Sequence, residues 1–98
     1  MEKIAIAQTT SSGNWSENLR KAEQFIKRAK AEKAKMIVFP EYFMNYYSDA
    51  DHKYIEKAQT LHGDFVSQMK VFAKEYKMWI IFGMNEKTVD ETKNYNTV

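Results

Sequence analysis

The sequence predicts an α/β fold built around a parallel sheet. Short apolar segments alternate with longer segments of helical periodicity, in the order strand, helix, strand, helix, strand. This alternation implies parallel strands joined by crossover helices. The segment Met36–Phe39 is apolar at every position, which is typical of a strand covered on both faces in a parallel sheet. The 98 residues contain one proline and three glycines and no linker, so we expect a single domain.

The first strand is predicted in KIAIAQ, residues 3–8, a short apolar run with a polar end. The loop composition of TTSSGN follows. Asn14 is suited to cap the next helix, and Glu17 lies where it completes a capping box. The helix should end near Lys33. Apolar residues recur along it in alternating steps of four and three, which places them on one face: Trp15, Leu19, Ala22, Ile26 and Ala29.

The second strand should end at Pro40, because proline fixes φ and lacks an amide donor. Residues 49–60 could form a short helix, and Asp64 is expected to cap a longer one. MWIIFG, residues 78–83, predicts a third buried strand. NEKTVDETKN predicts a polar turn, and YNTV predicts the start of a fourth strand. The apolar face of the longer helix comprises Phe65, Met69, Phe72, Ala73 and Tyr76.

Composition excludes several classes of function. The net charge is +2, from 15 basic and 13 acidic side chains spread along the chain, so we expect neither nucleic acid nor a membrane surface as a partner. No apolar run approaches the ~20 residues of a membrane span, and the first residues lack the pattern of a signal peptide. The chain has no cysteine, which excludes disulfides and fits a cytoplasmic location.

Glu41 follows the second strand directly after Pro40. In open α/β sheets, ligands bind beyond the carboxyl ends of the strands, so a carboxylate here is a candidate general base. Phe39, Tyr42 and Phe43 would wall it, and partial burial would raise its pKa. The competing interpretation is a glutamate that caps the next turn or pairs with a lysine. The residue pattern alone leaves both open.

Other residues have simpler explanations. Glu86 follows the third strand and could orient a hydrogen-bond network at the same sheet edge, although a solvated turn residue explains it as well. His52 and His62 lack the spacing of a metal site. Trp15 and Trp79 fall on apolar faces and are expected in the core. SSGN lacks the spacing of a phosphate-binding loop, so we expect neither a metal nor a cofactor.

The order of several segments resembles the amino-terminal part of the nitrilase superfamily, the carbon–nitrogen hydrolases. The most specific element is VFPE after a helix rich in alanine and lysine; the spacing from Asn18 to Ala22, the FG before Asn85 and Glu86, and YNT add to it. The resemblance covers the whole chain. It implies a partial αββα sandwich and an incomplete domain over residues 1–98, from either a shortened gene product or a cut piece of a longer one.

The resemblance also implies a Glu-Lys-Cys triad that cleaves non-peptide C–N bonds of small amides or nitriles. Glu41 stands at the position of the family glutamate, and Tyr47 falls on a family tyrosine that borders the substrate pocket. Tyr47 packing against a neighbouring loop tyrosine is an equal alternative. The family lysine and cysteine come after the point where this sequence ends. Tyr46 replaces the usual family glycine, which puts the substrate size in doubt.

Three functions remain open. The chain is the first part of a carbon–nitrogen hydrolase that is inactive by itself, a non-catalytic half-domain that acts as an interaction module, or a small nucleotide-binding domain of flavodoxin type. The missing phosphate loop disfavours the last. A partial sandwich leaves apolar sheet surface uncovered, and we therefore expect a homo-oligomer.

Overall fold

The computed structural model describes residues 2–46, 58–88 and 94–98. These residues form two α-helices and five β-strands, of which the first five elements alternate between strand and helix. The predicted α/β fold is confirmed. The elements are β1 (Lys3–Ile6), α1 (Trp15–Ala31), β2 (Ala34–Val38), α2 (Asp64–Tyr76), β3 (Trp79–Ile81), β4 (Met84–Lys87) and β5 (Asn94–Thr97). The predicted short helix lies mostly outside the described residues.

The main sheet has three strands in the order β1-β2-β3, and both pairings are parallel. Its register places apolar side chains in rows across the strands. One face, which we call the open face, carries two such rows. The first row is Ile4, Met36 and Trp79, and the second is Ile6, Val38 and Ile81.

The opposite, covered face carries Ala5, Ile37 and Ile80 in one row. Ile37 is 1% exposed and belongs to the same buried cluster as the apolar faces of the two helices. The ring of Phe39, just beyond β2, lies edge-on to Phe25 of α1 at 6.4 Å. The hydrophobic core therefore lies between the helices and this face.

The open face is apolar but exposed. Trp79 is 75% exposed and Ile6 is 73% exposed. The prediction that Trp79 lies in the core is therefore wrong, and the prediction that β2 is covered on both faces holds only for its helix side. The physical reason is that a run apolar at every position signals two apolar faces, but each face still needs a second layer of protein to cover it.

Helix α1 begins as the sequence predicts. The Asn14 side chain accepts hydrogen bonds from the backbone amides of Ser16 at 3.0 Å and Glu17 at 3.3 Å, so it occupies two of the donors that a helix start leaves unpaired. Glu32 is the C-cap, and Lys33 has a φ of 64°, which ends the helix where expected. The buried residues of the helix are Asn18, Ala22, Ile26 and Ala29.

Helix α2 buries Phe65, Met69 and Phe72, as predicted. Its start differs from the prediction, because Gly63 is the N-cap and Asp64 is the first helical residue. The side chain of Gln59 accepts the hydrogen bond from the Phe65 amide at 2.9 Å. A side chain from outside the helix thus does the work that the sequence assigned to Asp64.

The polar segment after β3 was predicted as a turn, but its first part is strand β4. Met84–Lys87 pairs antiparallel with Asn94–Thr97 in a separate two-stranded sheet. The predicted fourth strand at YNTV is confirmed as β5, with a start one residue earlier. The sequence did not predict β4, because its polar residues show no alternation of apolar and polar side chains. Pairing with β5 stabilises these residues as a strand. Neither described helix is both long and apolar enough to cross a membrane.

Candidate active site

Glu41 lies in a turn immediately after β2, the middle strand of the parallel sheet. The amide of Phe39 still donates to the carbonyl of Ile81 at 2.8 Å, so the ladder continues to the residue before Pro40 and then stops. Residue Tyr42 has a φ of 54°, in the left-handed region that side chains other than glycine rarely adopt. The chain therefore turns sharply at Glu41, at the carboxyl end of the sheet.

The side chain of Glu41 is exposed. Two of the three aromatic rings expected around its carboxylate, those of Phe39 and Phe43, belong to the buried core instead. Phe39 and Phe43 are both buried, and their rings stack at 4.4 Å. Phe43 also meets Phe65 of α2 edge-on at 6.3 Å. The packing of these rings in the core anchors the residues on either side of Glu41 and leaves its carboxylate accessible.

Gly83, between β3 and β4, lies directly against the Glu41 turn. Its amide donates to the carbonyl of Pro40 at 3.4 Å, and its carbonyl accepts from the amide of Met44 at 3.1 Å. A Cβ on Gly83 would lie 2.6 Å from the Tyr42 nitrogen and 2.9 Å from the Glu41 Cα. Both are backbone atoms, so only glycine fits this approach without a shift of the turn.

Asn18 holds the turn from the helix side. It is 0% exposed, and its side-chain amide donates to the carbonyls of Met44 at 2.9 Å and Ser12 at 2.8 Å. Its side-chain oxygen accepts from the Ser12 amide at 3.0 Å. The Ser12 carbonyl also accepts from the Tyr46 amide at 2.9 Å. The loop before α1 and the segment after Glu41 are therefore joined by one buried side-chain amide and by a direct backbone hydrogen bond.

Sequence reasoning did not single out Gly83 or Asn18 for this role, although both left a signal. A glycine at the end of an apolar strand is typical of a close approach by other backbone. Asn18 is a polar residue next to Leu19 on a face that is otherwise apolar. A buried polar side chain needs hydrogen-bond partners, and here those partners are the two loops.

Glu86 lies in β4 and is half-buried. Its carboxylate accepts a hydrogen bond from the hydroxyl of Thr97 at 2.8 Å, across the antiparallel pair. The interpretation as a solvated turn residue is therefore wrong. Glu86 lies three residues after Gly83, and Gly83 is hydrogen-bonded to Pro40, the residue before Glu41. A short stretch of backbone therefore connects the positions of Glu41 and Glu86. Tyr47, which the resemblance placed at the border of the substrate pocket, lies outside the described residues.

Nothing in the described part of the chain gathers three or more His, Cys, Asp or Glu side chains that could hold a metal ion. His62 is exposed, and His52 lies outside the described residues. The site therefore consists of an accessible carboxylate on a turn that neighbouring backbone holds. A carboxylate in this position can accept and return a proton, which is the chemistry of a general base.

The sequence profile described as carbon-nitrogen hydrolase matches residues 3–98. The chain belongs to the carbon–nitrogen hydrolase family. It is 27% identical over 104 aligned residues to a deaminated glutathione amidase from Dictyostelium discoideum, an alignment that covers 99% of this chain and 35% of the amidase.

Solved structures share the fold. The NitFhit protein of C. elegans superimposes with a TM-score of 0.82 at 24% identity, covering 95% of this chain and 23% of that protein. Nit3 of Saccharomyces cerevisiae, a member of branch 10 of the nitrilase superfamily, superimposes with a TM-score of 0.74 at 31% identity, covering 97% and 37%. The chain thus spans between 23% and 37% of the length of these relatives.

Proposed function

We propose that the chain supplies the general base of a carbon–nitrogen hydrolase that cleaves small amides or nitriles. The observation that carries the proposal is the position of Glu41, exposed on a tight turn at the carboxyl end of the middle strand of a parallel sheet. Ligands of open α/β sheets bind at this edge. Membership of the family supports a C–N bond as the target, and the similarity to an amidase favours an amide.

In the proposed reaction, the carboxylate of Glu41 takes the proton from a cysteine thiol. The thiolate attacks the amide carbon, a C–S bond forms, and the C–N bond breaks as the proton passes to the leaving nitrogen. Water then attacks the thioester carbon. Glu41 takes a proton from that water as the C–O bond forms. The C–S bond then breaks and the proton passes to the sulfur, so that the acid leaves and the thiol is restored. A lysine stabilises the negative charge on the substrate oxygen.

The cysteine of this scheme must come from outside the 98 residues, because the chain contains none. The lysine is also expected from outside, since no lysine here takes the position of the family residue. A base without a nucleophile cannot form the acyl intermediate. We therefore propose that the chain alone is inactive and that activity requires further residues, either later in a longer product or on another chain.

The test assays two preparations in parallel against small amides, ω-amides, carbamoyl compounds and nitriles. One preparation is the 98-residue chain, and the other is the longest translated product that contains it. The chain alone should show no turnover above the buffer rate. The longer product should hydrolyse at least one substrate, and Glu41→Gln should lower its kcat by about 10²–10⁴-fold.

Glu2→Gln is the matched control, because Glu2 is an exposed glutamate that precedes β1 and takes no part in the scheme. Its kcat should stay within about twofold of the unmodified protein, as expected for a surface substitution. Near-normal turnover in the Glu41→Gln protein would remove the assignment of the base. Turnover by the 98-residue chain that survives Glu41→Gln would remove the triad scheme altogether.

The alternative function, a non-catalytic interaction module, is favoured by the exposed open face of the sheet. Trp79 and Ile6 present large apolar surface on it, and uncovered surface of this kind marks sites of association. If no translated product extends beyond the chain and no amide is hydrolysed in the presence of its binding partners, the module becomes the better account.

A further inference from the structure

The Glu41 turn is fixed at both of its ends by a single residue. The amide of Gly83 bonds to Pro40, the residue before Glu41, and the carbonyl of Gly83 bonds to Met44, three residues after it. The backbone between these two residues lies where a side chain at residue 83 would be, because a Cβ there would come within 3.1 Å of the Glu41 carbonyl carbon. Gly83 therefore supports the turn through two backbone hydrogen bonds and a close backbone contact.

We infer that Gly83 and Asn18 are positioning residues for Glu41, which act by holding the backbone of its turn and not by contact with a substrate. This inference rests on the proposed function in one respect, which is that a general base at Glu41 needs a fixed position. General-base catalysis depends on hydrogen-bond reach between the base and the proton it takes, and small displacements reduce that reach strongly.

Gly83 acts from the strand side. The Tyr42 backbone has a φ of 54°, which a tyrosine does not adopt without support from its surroundings. The two hydrogen bonds to Gly83, together with the contact of its bare Cα with Tyr42 and Glu41, supply that support. A side chain at residue 83 would push the turn outward, and Glu41 would move with it.

Asn18 acts from the helix side. Its side chain hydrogen-bonds to the backbone of Ser12 and of Met44. Met44 is thus held twice, with its amide on Gly83 and its carbonyl on Asn18. Helix α1 and the β3–β4 junction therefore both hydrogen-bond to Met44. Glu41 lies between Met44 and the end of β2 in the chain.

The first test measures amide hydrogen exchange by NMR in the 98-residue chain, and it needs no activity. Gly83→Ala should speed exchange at the Met44 amide by at least about tenfold, because local opening is reported by individual amides. The Phe39 amide, which belongs to the β2–β3 ladder, should change by less than about twofold.

Gly63→Ala is the matched control. The same added methyl group there meets the side-chain oxygen of Gln59 at 2.9 Å, at the start of α2 and away from the Glu41 turn. It should leave exchange at Met44 unchanged. The inference fails if Gly83→Ala leaves Met44 unchanged, or if Met44 and Phe39 lose protection equally, since that would be a global loss of stability.

A second measurement covers the case in which Gly83→Ala does not fold. In the unmodified chain, a scalar coupling through the hydrogen bond should link the Met44 amide nitrogen to the Gly83 carbonyl carbon. Asn18→Asp keeps an oxygen that accepts from the Ser12 amide but loses the donor to the carbonyls of Met44 and Ser12, so it should speed exchange at Met44 more than at Phe39. Absence of the coupling, in a chain whose Phe39 amide is protected, overturns the inference.

The functional readout separates this inference from the proposed function. In the active longer product, Gly83→Ala should lower kcat by about tenfold or more while KM changes by less than about threefold, because only the geometry of the base is altered. If Glu41→Gln retains full activity while the exchange results hold, the proposed function fails, but the support of the turn by Gly83 stands. If Glu41→Gln is inactive but Gly83→Ala exchanges and turns over normally, the positioning role fails alone.

Discussion

The two faces of the three-stranded sheet carry equally apolar side chains and meet different surroundings. Ile37 on the covered face is 1% exposed, whereas Ile6 on the adjacent strand and the open face is 73% exposed. Both are isoleucines in parallel strands of one sheet. Their difference therefore comes from the second layer, because α1 and α2 pack on one face and no described residue shields the other in the same way.

This difference separates a face that the helices cover from a face that no described helix covers. The covered face has helices, interlocking aromatic rings and a buried cluster, which are the features of a finished core. The open face has rows of apolar side chains in register, and no described helix packs on it. Burial of such surface is favourable by about 25 cal/mol per Å², so we expect it to be covered by further protein.

The largest expected effect comes from truncating the same residue type on each face. Ile37→Ala should lower the free energy of unfolding by about 3 kcal/mol, because it removes buried methyl groups and leaves a cavity. Ile6→Ala should change it by less than about 0.5 kcal/mol, as for other exposed positions. Urea unfolding followed by circular dichroism measures both. Equal losses would show that the open face is covered in solution.

The next effect concerns the proposed homo-oligomer. If a second copy covers the open face, the unmodified chain should show a mass above that of a monomer by light scattering at high micromolar concentration. Trp79→Lys should weaken this association by at least about tenfold, since it places a charge where apolar surface is buried.

Val71→Lys serves as the control for that experiment, because Val71 is an exposed apolar residue of α2 and lies on the helix layer. Its association should match that of the unmodified chain. A stable monomer at every concentration, with or without the substitution at Trp79, would contradict self-association through the open face.

A smaller effect weakens the cover itself. Asn14→Ala removes the acceptor for two amides at the start of α1 and should cost about 1 kcal/mol of unfolding free energy. Asn14→Ser keeps an acceptor and should recover more than half of that loss. If the serine variant were as unstable as the alanine variant, the cap would not be the source of the effect.

The smallest effect tests the contact between the two covering helices. The Tyr76 hydroxyl donates to the Glu23 carboxylate at 3.1 Å. Partial burial of the phenol raises the pKa of Tyr76 above its ordinary value, and the hydrogen bond to Glu23 and the charges of Glu23 and Glu75 add to the rise. The folded chain therefore holds this proton more tightly than the unfolded chain does.

The sign of the pH dependence follows from that difference. The stabilisation is fully present below the ordinary pKa of tyrosine, about 10, and is lost as the pH rises from there through the raised value. Tyr76→Phe should reduce the decline in stability on the alkaline side, and Glu23→Gln should reduce it in part. Urea midpoints measured from neutral to alkaline pH test this, and an unchanged decline in both variants would contradict it.

Local patterns predicted most of the fold. The steps of four and three along α1, the cap at Asn14 and the stop at Pro40 all depend on residues within one or two turns of each other, and the structure confirms each. Two errors in the assignment of secondary structure have a non-local cause. Gln59 replaces Asp64 in binding the start of α2, and β5 gives strand structure to the polar residues of β4.

The candidate site divides in the same way. The position of Glu41 at the end of β2 followed from the apolar run and the proline, and its assignment as the catalytic base stays a prediction. Its exposure did not follow, because Phe39 and Phe43 were expected around the carboxylate and instead stack in the core. The direction of a side chain after a sharp turn depends on backbone angles that the sequence does not display.

The sequence by itself determined the order of strands and helices, the apolar stripe of α1 and the placement of a carboxylate at a strand end. These features arise from interactions between near neighbours, and residue spacing records them directly. Only the tertiary structure decided which sheet face is covered and how the Glu41 turn is held. Those outcomes depend on residues far apart in the chain, such as Asn18 and Met44, which are 26 positions apart, and no local pattern states that they will meet.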